Sequence, residues 1–178
     1  MDPWDNQLAR RGHVVRAIVH QVKLDLPDEI RNSTIALIQL RLADSIDLAT
    51  QAKQAHWNVK GPNFSSLHNL FDRVAAEAGG YGDLIAERIV ALGGTAEGTA
   101  RIVSERSTLP RYPINITDGS AHIEALSNTL AAFSASVRGA IDVSVKIGDL
   151  GTAHIFAEIS RGADKYLWLV QAHAGGRA

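Results

Sequence analysis

Four ionisable side chains on one stretch of the chain, His68, Asp72, Asp83 and Glu87, have the types and spacing of metal ligands. On an α-helix at about 100° per residue they fall at roughly 0°, 40°, 60° and 100°, within one stripe. A bundle helix normally fills its inward stripe with Leu, Ile and Ala. Four ionisable groups on one sector therefore either face water or serve a site. The chain has no cysteine, which excludes a disulfide framework, a thiolate zinc site and thiol catalysis. Any metal must be held by imidazole and carboxylate, ligands suited to iron, manganese or zinc.

Axial spacing decides how such a site is built. His68 and Asp72 are one turn apart, as are Asp83 and Glu87, so either pair can share an ion. Asp72 and Asp83 are roughly 16 Å apart along the axis, whereas metal–ligand bonds are about 2 Å long. The two pairs cannot meet within one chain. They can meet across a two-fold axis if a second copy of the helix runs antiparallel. The midpoint lies between Glu77 and Ala78, amid Ala75, Ala76, Gly79 and Gly80, small residues that let helices approach. The spacing thus predicts an isologous dimer with two equivalent sites. Each takes His68 and Asp72 from one chain and Asp83 and Glu87 from the other. His56 joins the first pair, because the turn at Gly61-Pro62-Asn63 folds it back beside His68. Two imidazoles and three carboxylates can hold one or two Fe(II) ions with positions left open for an oxidant.

Positioning these groups takes long helices. Ile35, Ile38, Leu42, Ile46 and Ala49 predict a helix over about 33–59, capped by Asn32 or Ser33. A second runs over about 65–92 and ends at Gly93-Gly94. Residues 95–118 carry Pro110 and Pro113 with little periodicity, and read as a crossover with about one helical turn. Asp118 or Ser120 caps a third helix over 120–147. A fourth covers 151–172. Upstream, Val14, Val15, Ile18, Val19 and Val22 predict a short amphipathic helix near 6–24, closed by Pro27. The layout is all-α, a ferritin-like four-helix bundle at 33–173 with an N-terminal extension at 1–32 and a short C-terminal tail at 174–178. A connection of about 25 residues can run the length of a helix of about 40 Å, so the third helix restarts at the far end.

Composition bounds the class. The 178 residues are 46% hydrophobic and 21% charged, ordinary for one soluble domain. A net charge of −1 gives no global attraction to nucleic acid or an anionic membrane. No run of about 18 apolar residues exists, so no membrane span is expected. The first residues, MDPWDNQLARRG, lack a signal-peptide core, and a cytoplasmic location is expected.

The segments HWNVKGPNFSSLHNLFD (56–72), DLIAERIVALGG (83–94) and SRGADKYLWLVQAH (160–173) resemble the Dps proteins, the mini-ferritins. The resemblance covers roughly 33–173. It implies a short helix in the crossover and twelve chains, built from two-fold dimers, forming a hollow shell. It also implies an inter-subunit ferroxidase centre, dinuclear, that oxidises Fe(II) with hydrogen peroxide in preference to dioxygen. The ferric product is stored as mineral, which protects against oxidative stress. All five positions carry the family's ligands: His56, His68, Asp72, Asp83 and Glu87. Zn(II) is the competitor ion for that site. Trp57 matches the aromatic beside it, to which radical quenching is ascribed; interface packing is the competing reading. Gly80 and Gly82 stand where bulkier residues are usual.

Other features are weaker. DNA is a poorly supported partner, since Arg10, Arg11, Arg16 and Lys23 are opposed by Asp2, Asp5 and Asp25. The acidic iron-entry pore that the resemblance implies has few acids to draw on: Asp142, Asp149, Glu158 and Asp164. His13, His20, His122, His154 and His173 lack partners at ligand spacing and read as surface or packing residues. Lys165, Tyr166 and Trp168 read as structural.

Overall fold

The structure, a computed structural model, describes residues 20–174. Five helices make up the fold: α1 (Asp28–Asn58), α2 (Phe64–Ala91), α3 (Ala100–Arg106), α4 (Gly119–Ile147) and α5 (Leu150–Gln171). α1 packs on α2 and α4 on α5, and these two hairpins close on each other through α1–α4 and α2–α5 contacts. Ile35, Phe71, Ile89, Leu126, Phe133, Phe156 and Ile159 fill the space between them and are buried. The short α3 lies against α1.

The helix ends follow local chemistry. Asp118 caps α4 by accepting from Ser120 N (3.0 Å), and Asp149 caps α5 by accepting from Thr152 N (3.0 Å). α2 stops where Gly93 turns to φ +92°, in the left-handed region that favours glycine. α1 starts at Asp28, earlier than its apolar stripe indicates. Pro27 at the N-cap has φ −54°, and Asp28 and Glu29 put acids in the first turn, where the helix dipole favours them. Asn32 and Ser33 are therefore interior to α1 and cap nothing.

Much of the expected N-terminal helix, residues 6–19, lies outside the described residues. Residues 20–24 are not helical. The chain there runs past the end of α2 instead, with His20 N donating to Gly93 O (3.0 Å). Arg31 secures the same end by donating to Leu92 O (3.1 Å).

The crossover spans the bundle. It leaves α2 at Gly93 and arrives beside the α1–α2 turn, where Lys60 N donates to Thr117 O (2.9 Å). One polar side of α1 holds it down. Gln39 Nε2 donates to Thr95 O (2.6 Å), Thr108 N to Asp44 (2.7 Å), Ser107 Oγ to Asp47 (2.5 Å) and Gln51 Nε2 to Pro110 O (3.0 Å). Asp44 is fully buried and paired with Arg41 at 3.0 Å.

At the opposite end of the bundle, Arg88 forks onto Asp149 (2.7 and 2.8 Å) and donates to Thr152 Oγ1 (2.9 Å). Burial alone would raise the Asp149 carboxyl, but hydrogen bonds from Arg88 and Thr152 hold it below the usual carboxylate range. A depressed carboxylate stabilises the fold above its unfolded value of about 3.9, and that stability is lost as pH falls through the folded value. Arg88→Met leaves Asp149, 2% exposed, without its cation and is expected to cost about 3 kcal/mol. Thermal melts at pH 7 and in the acid range check both statements. The loss for Arg88→Met should shrink in acid, where Asp149 takes up a proton.

Candidate metal centre

The α1–α2 turn brings His56 and His68 together. Their rings stack at 3.7 Å between centroids with an interplanar angle of 22°, and Phe64 stacks on His68 at 5.0 Å. Two reciprocal bonds lock the pair. His56 Nδ1 donates to His68 O (2.8 Å), and His68 Nδ1 donates to His56 O (2.9 Å). A carbonyl only accepts, so each Nδ1 carries the proton and each Nε2 keeps its lone pair in the neutral ring. This is the tautomer that a metal-binding imidazole needs, fixed by a backbone partner.

Asp72 stands one turn further along α2, half exposed, in an ion pair with Lys53 of α1. The hydrogen bond from Lys53 outweighs partial desolvation and holds the Asp72 carboxyl below the usual range, helped by the Lys53 charge and by His56 and His68. Lys53 lies one turn before His56 on α1, but its contact with Asp72 depends on how α1 packs against α2, which spacing does not reveal. Its ammonium occupies the carboxylate that a metal would use. Lys53→Met is expected to tighten Co(II) or Zn(II) binding a few-fold, as the loss of an exposed competing ion pair allows. Calorimetric titration at pH 7 checks this.

Asp83 and Glu87 are exposed on α2. They do not approach the histidine end of their own chain. Among the described residues no group of three or more His, Asp or Glu side chains in one chain is arranged to hold a metal ion. The residues between the two pairs divide. Ala75 and Ala78 are buried within the chain, whereas Ala76, Gly79 and Gly80 are exposed. A Cβ on Gly79 or Gly80 would meet nothing within 4 Å. Gly82 faces inward, where a Cβ would meet Ile46 and Ser45 of α1 at 3.8 Å. It therefore serves the α1–α2 contact and not the open face.

Beside Asp72 lies a groove of about 860 Å³, lined by Lys53, Trp57, Asp72, Gly79, Tyr112 and Ile114 among others. Trp57 is 68% exposed and Ile114 73%. Large exposed apolar groups in one groove mark a surface made for a partner. Trp57 thus sits in the same exposed groove as Asp72.

Elsewhere, two of the acids available to a pore are already engaged. Asp149 is taken by Arg88, and Asp164 pairs with Arg138 at 2.9 Å. Asp142 and Glu158 are exposed. His122 is no surface residue: it is 1% exposed, and its Nδ1 lies 2.6 Å from the Tyr112 hydroxyl. The sequence gives no spacing signal for that contact, because the crossover alone brings Tyr112 to α4. His154 is exposed, and His173 Nδ1 donates to Leu169 O (2.8 Å). No described helix is long and apolar enough to cross a membrane.

A four-helix bundle with a full-length crossover and a histidine–carboxylate stripe on its second helix defines a ferritin-like protein. The ferritin-like domain family matches residues 35–176. The DNA protection during starvation protein of Agrobacterium fabrum is 43% identical over 154 residues, 86% of this chain and 95% of that one. Among solved structures, Dps from Microbacterium arborescens in its high iron form is similar at a TM-score of 0.77 with 32% identity, covering 84% of this chain and 97% of that chain. DpsC from Streptomyces coelicolor is similar at a TM-score of 0.85 with 28% identity, covering 91% and 95%. The chain belongs to the Dps family of ferritin-like proteins.

Proposed function

We propose that this chain is a mini-ferritin that oxidises Fe(II) at a centre shared between two subunits, preferably with hydrogen peroxide, and stores the ferric product inside a twelve-subunit shell. The observation that carries this reading is the locked His56–His68 pair beside Asp72. It is half a ligand set, complete in tautomer and incomplete in number. Asp83 and Glu87 of a second copy supply the rest, with Gly79 and Gly80 leaving room for the helices to meet.

Fe(II) is substrate here. The free Nε2 atoms bind it without adding charge, and the three carboxylates favour the Fe(III) product. Glu87, long and exposed, is suited to bridging two irons. Two neighbouring irons deliver two electrons to one peroxide. With two protons the products are two Fe(III) and two waters, and no hydroxyl radical is released. Removing both Fe(II) and peroxide is the protection against oxidative stress. Relatives named for DNA protection fit this chemistry whether or not DNA is bound.

The test is a peroxide pulse on protein loaded anaerobically with Fe(II). The expected result is a rise in Fe(III) absorbance with about two irons oxidised per peroxide, faster than with air-saturated buffer. No rise, or equal rates with both oxidants, contradicts the reading.

A further inference from the structure

Gly162 sits in the middle of α5, where a glycine weakens a helix. A Cβ there would meet the Tyr81 hydroxyl at 2.1 Å, so the glycine makes room for that one oxygen. Tyr81 reaches it from α2, with its ring stacked on Phe133 at 6.1 Å. The hydroxyl is buried and makes no hydrogen bond of ordinary geometry, and Tyr81 as a whole is only 6% exposed. A buried hydroxyl left without a partner costs stability, and calls for an explanation.

Three oxygen-bearing side chains stand around it. Glu158 and Tyr166 lie one turn of α5 to either side of Gly162, and Glu77 lies one turn before Tyr81 on α2. All four line one groove of about 450 Å³ between the two helices. The Tyr166 hydroxyl donates to Glu77 Oε2 at 3.5 Å. Burial, then the Glu77 carboxylate, with Tyr166 and Glu158 adding, pushes the Tyr81 hydroxyl above its usual range. Neither carboxylate is in an ion pair among the described residues. Arg73 is the cation at the rim.

Such a set, all oxygen and no nitrogen, selects a hard cation, and phenolate is a ligand of iron. Bonds of about 2 Å place two donors of one ion about 2.8 to 4 Å apart, and the Glu77–Tyr166 separation of 3.5 Å falls within that span.

We propose that Glu77, Tyr81, Glu158 and Tyr166 form a second metal site that takes Fe(III) and shares no ligand with the histidine centre. It rests on the ferroxidase reading only for the source of the ion. Binding breaks two O–H bonds. Tyr81 and Tyr166 each give a proton to water, and Fe(III) gains two phenolates and two carboxylates. No electron moves. The assembled site carries one negative charge, which Arg73 offsets, and Tyr81 gains the partner it lacks.

The test gives iron-free protein one equivalent of Fe(III) per chain as the nitrilotriacetate complex. The expected result is a phenolate-to-iron charge-transfer band in the visible, with tyrosinate modes in resonance Raman. The histidine centre contains no tyrosine and cannot produce either. The band should weaken in Tyr81→Phe and in Tyr166→Phe, vanish in the double variant, and stay unchanged in Tyr112→Phe. Glu158→Gln should weaken Fe(III) binding at least about ten-fold. Phenylalanine keeps each ring, and circular dichroism and melting confirm that the variants fold. No band in the wild type, a band that survives the double variant, or unchanged binding in Glu158→Gln overturns the proposal. Fe(II) with peroxide on the same wild-type protein separates the two readings. Normal Fe(III) formation with no phenolate band from either source of Fe(III) overturns the second site and leaves ferroxidation standing. A band from supplied Fe(III) without any oxidation of Fe(II) supports the second site and removes the ferroxidase reading.

Discussion

Replacing Gly79 and Gly80 together by leucine is expected to leave the helices folded while abolishing both the dimer and Fe(II) oxidation. Within one chain the change is harmless, because a Cβ at either position meets nothing within 4 Å. Each leucine also improves helix propensity by about 1 kcal/mol over glycine. The effect appears only if a second α2 lies on that face. The proposed two-fold axis, which would pair His68 and Asp72 with Asp83 and Glu87, passes beside these glycines and would place both at the helix crossing. Helices that touch through small residues lie about 8 Å apart, and large ones push them towards about 10 Å. Metal sites tolerate shifts of about 0.2 Å, and misplacement by about 1 Å can cost a factor of about 100 in rate. Light scattering should therefore find the twelve-subunit shell lost, and stopped-flow absorbance should find Fe(II) oxidation lowered at least about 100-fold. Alanines at the same positions should have an intermediate effect. An intact oligomer with normal oxidation would mean that the face carries no partner helix.

The helices are largely legible in the sequence because their signals are local. Asp118 and Asp149 cap α4 and α5, and Gly93 and Gly148 end α2 and α4 with positive φ. The start of α1 is harder to read because Pro27 punctuates in both directions. A proline can close the segment before it or open the helix after it, and only Asp28 and Glu29 behind it show which. The polar clamps on the crossover are not legible. Gln39, Asp44, Asp47 and Gln51 look like the water-facing side of an amphipathic helix, and their partners lie about sixty residues on, in a segment without periodicity. Polarity alone does not distinguish a side chain facing water from one facing a polar loop.

The site is legible to the extent that it is helical. The angular stripe on α2 and the turn before it predict that His56 and His68 meet, and they do. Three things lie outside periodicity. The reciprocal backbone bonds that set both tautomers depend on how the turn closes. The Lys53–Asp72 pair depends on the rotation of α1 against α2. The Tyr112–His122 contact depends on the path of the crossover. The distinction between Gly82, which admits α1, and Gly79 and Gly80, which open outward, likewise needs three dimensions.

The central claim is that one chain supplies the histidines and a second supplies the distal carboxylates. His68→Ala with Asp72→Ala removes one half of every site; Asp83→Ala with Glu87→Ala removes the other. Either double variant alone should oxidise Fe(II) no faster than free iron. All four positions are partly or fully exposed, so neither variant should fail to fold. Unfolding and refolding the two together in equal amounts makes half of the dimers mixed. Each mixed dimer carries one site with four substitutions and one site with none, so about one quarter of all sites are restored. Stopped-flow Fe(II) oxidation of the refolded mixture is the direct measurement. The account predicts about one quarter of wild-type activity from two inactive parents. Activity no greater than that of the parents, in a mixture shown to contain mixed dimers, would contradict it and place the whole site within one chain.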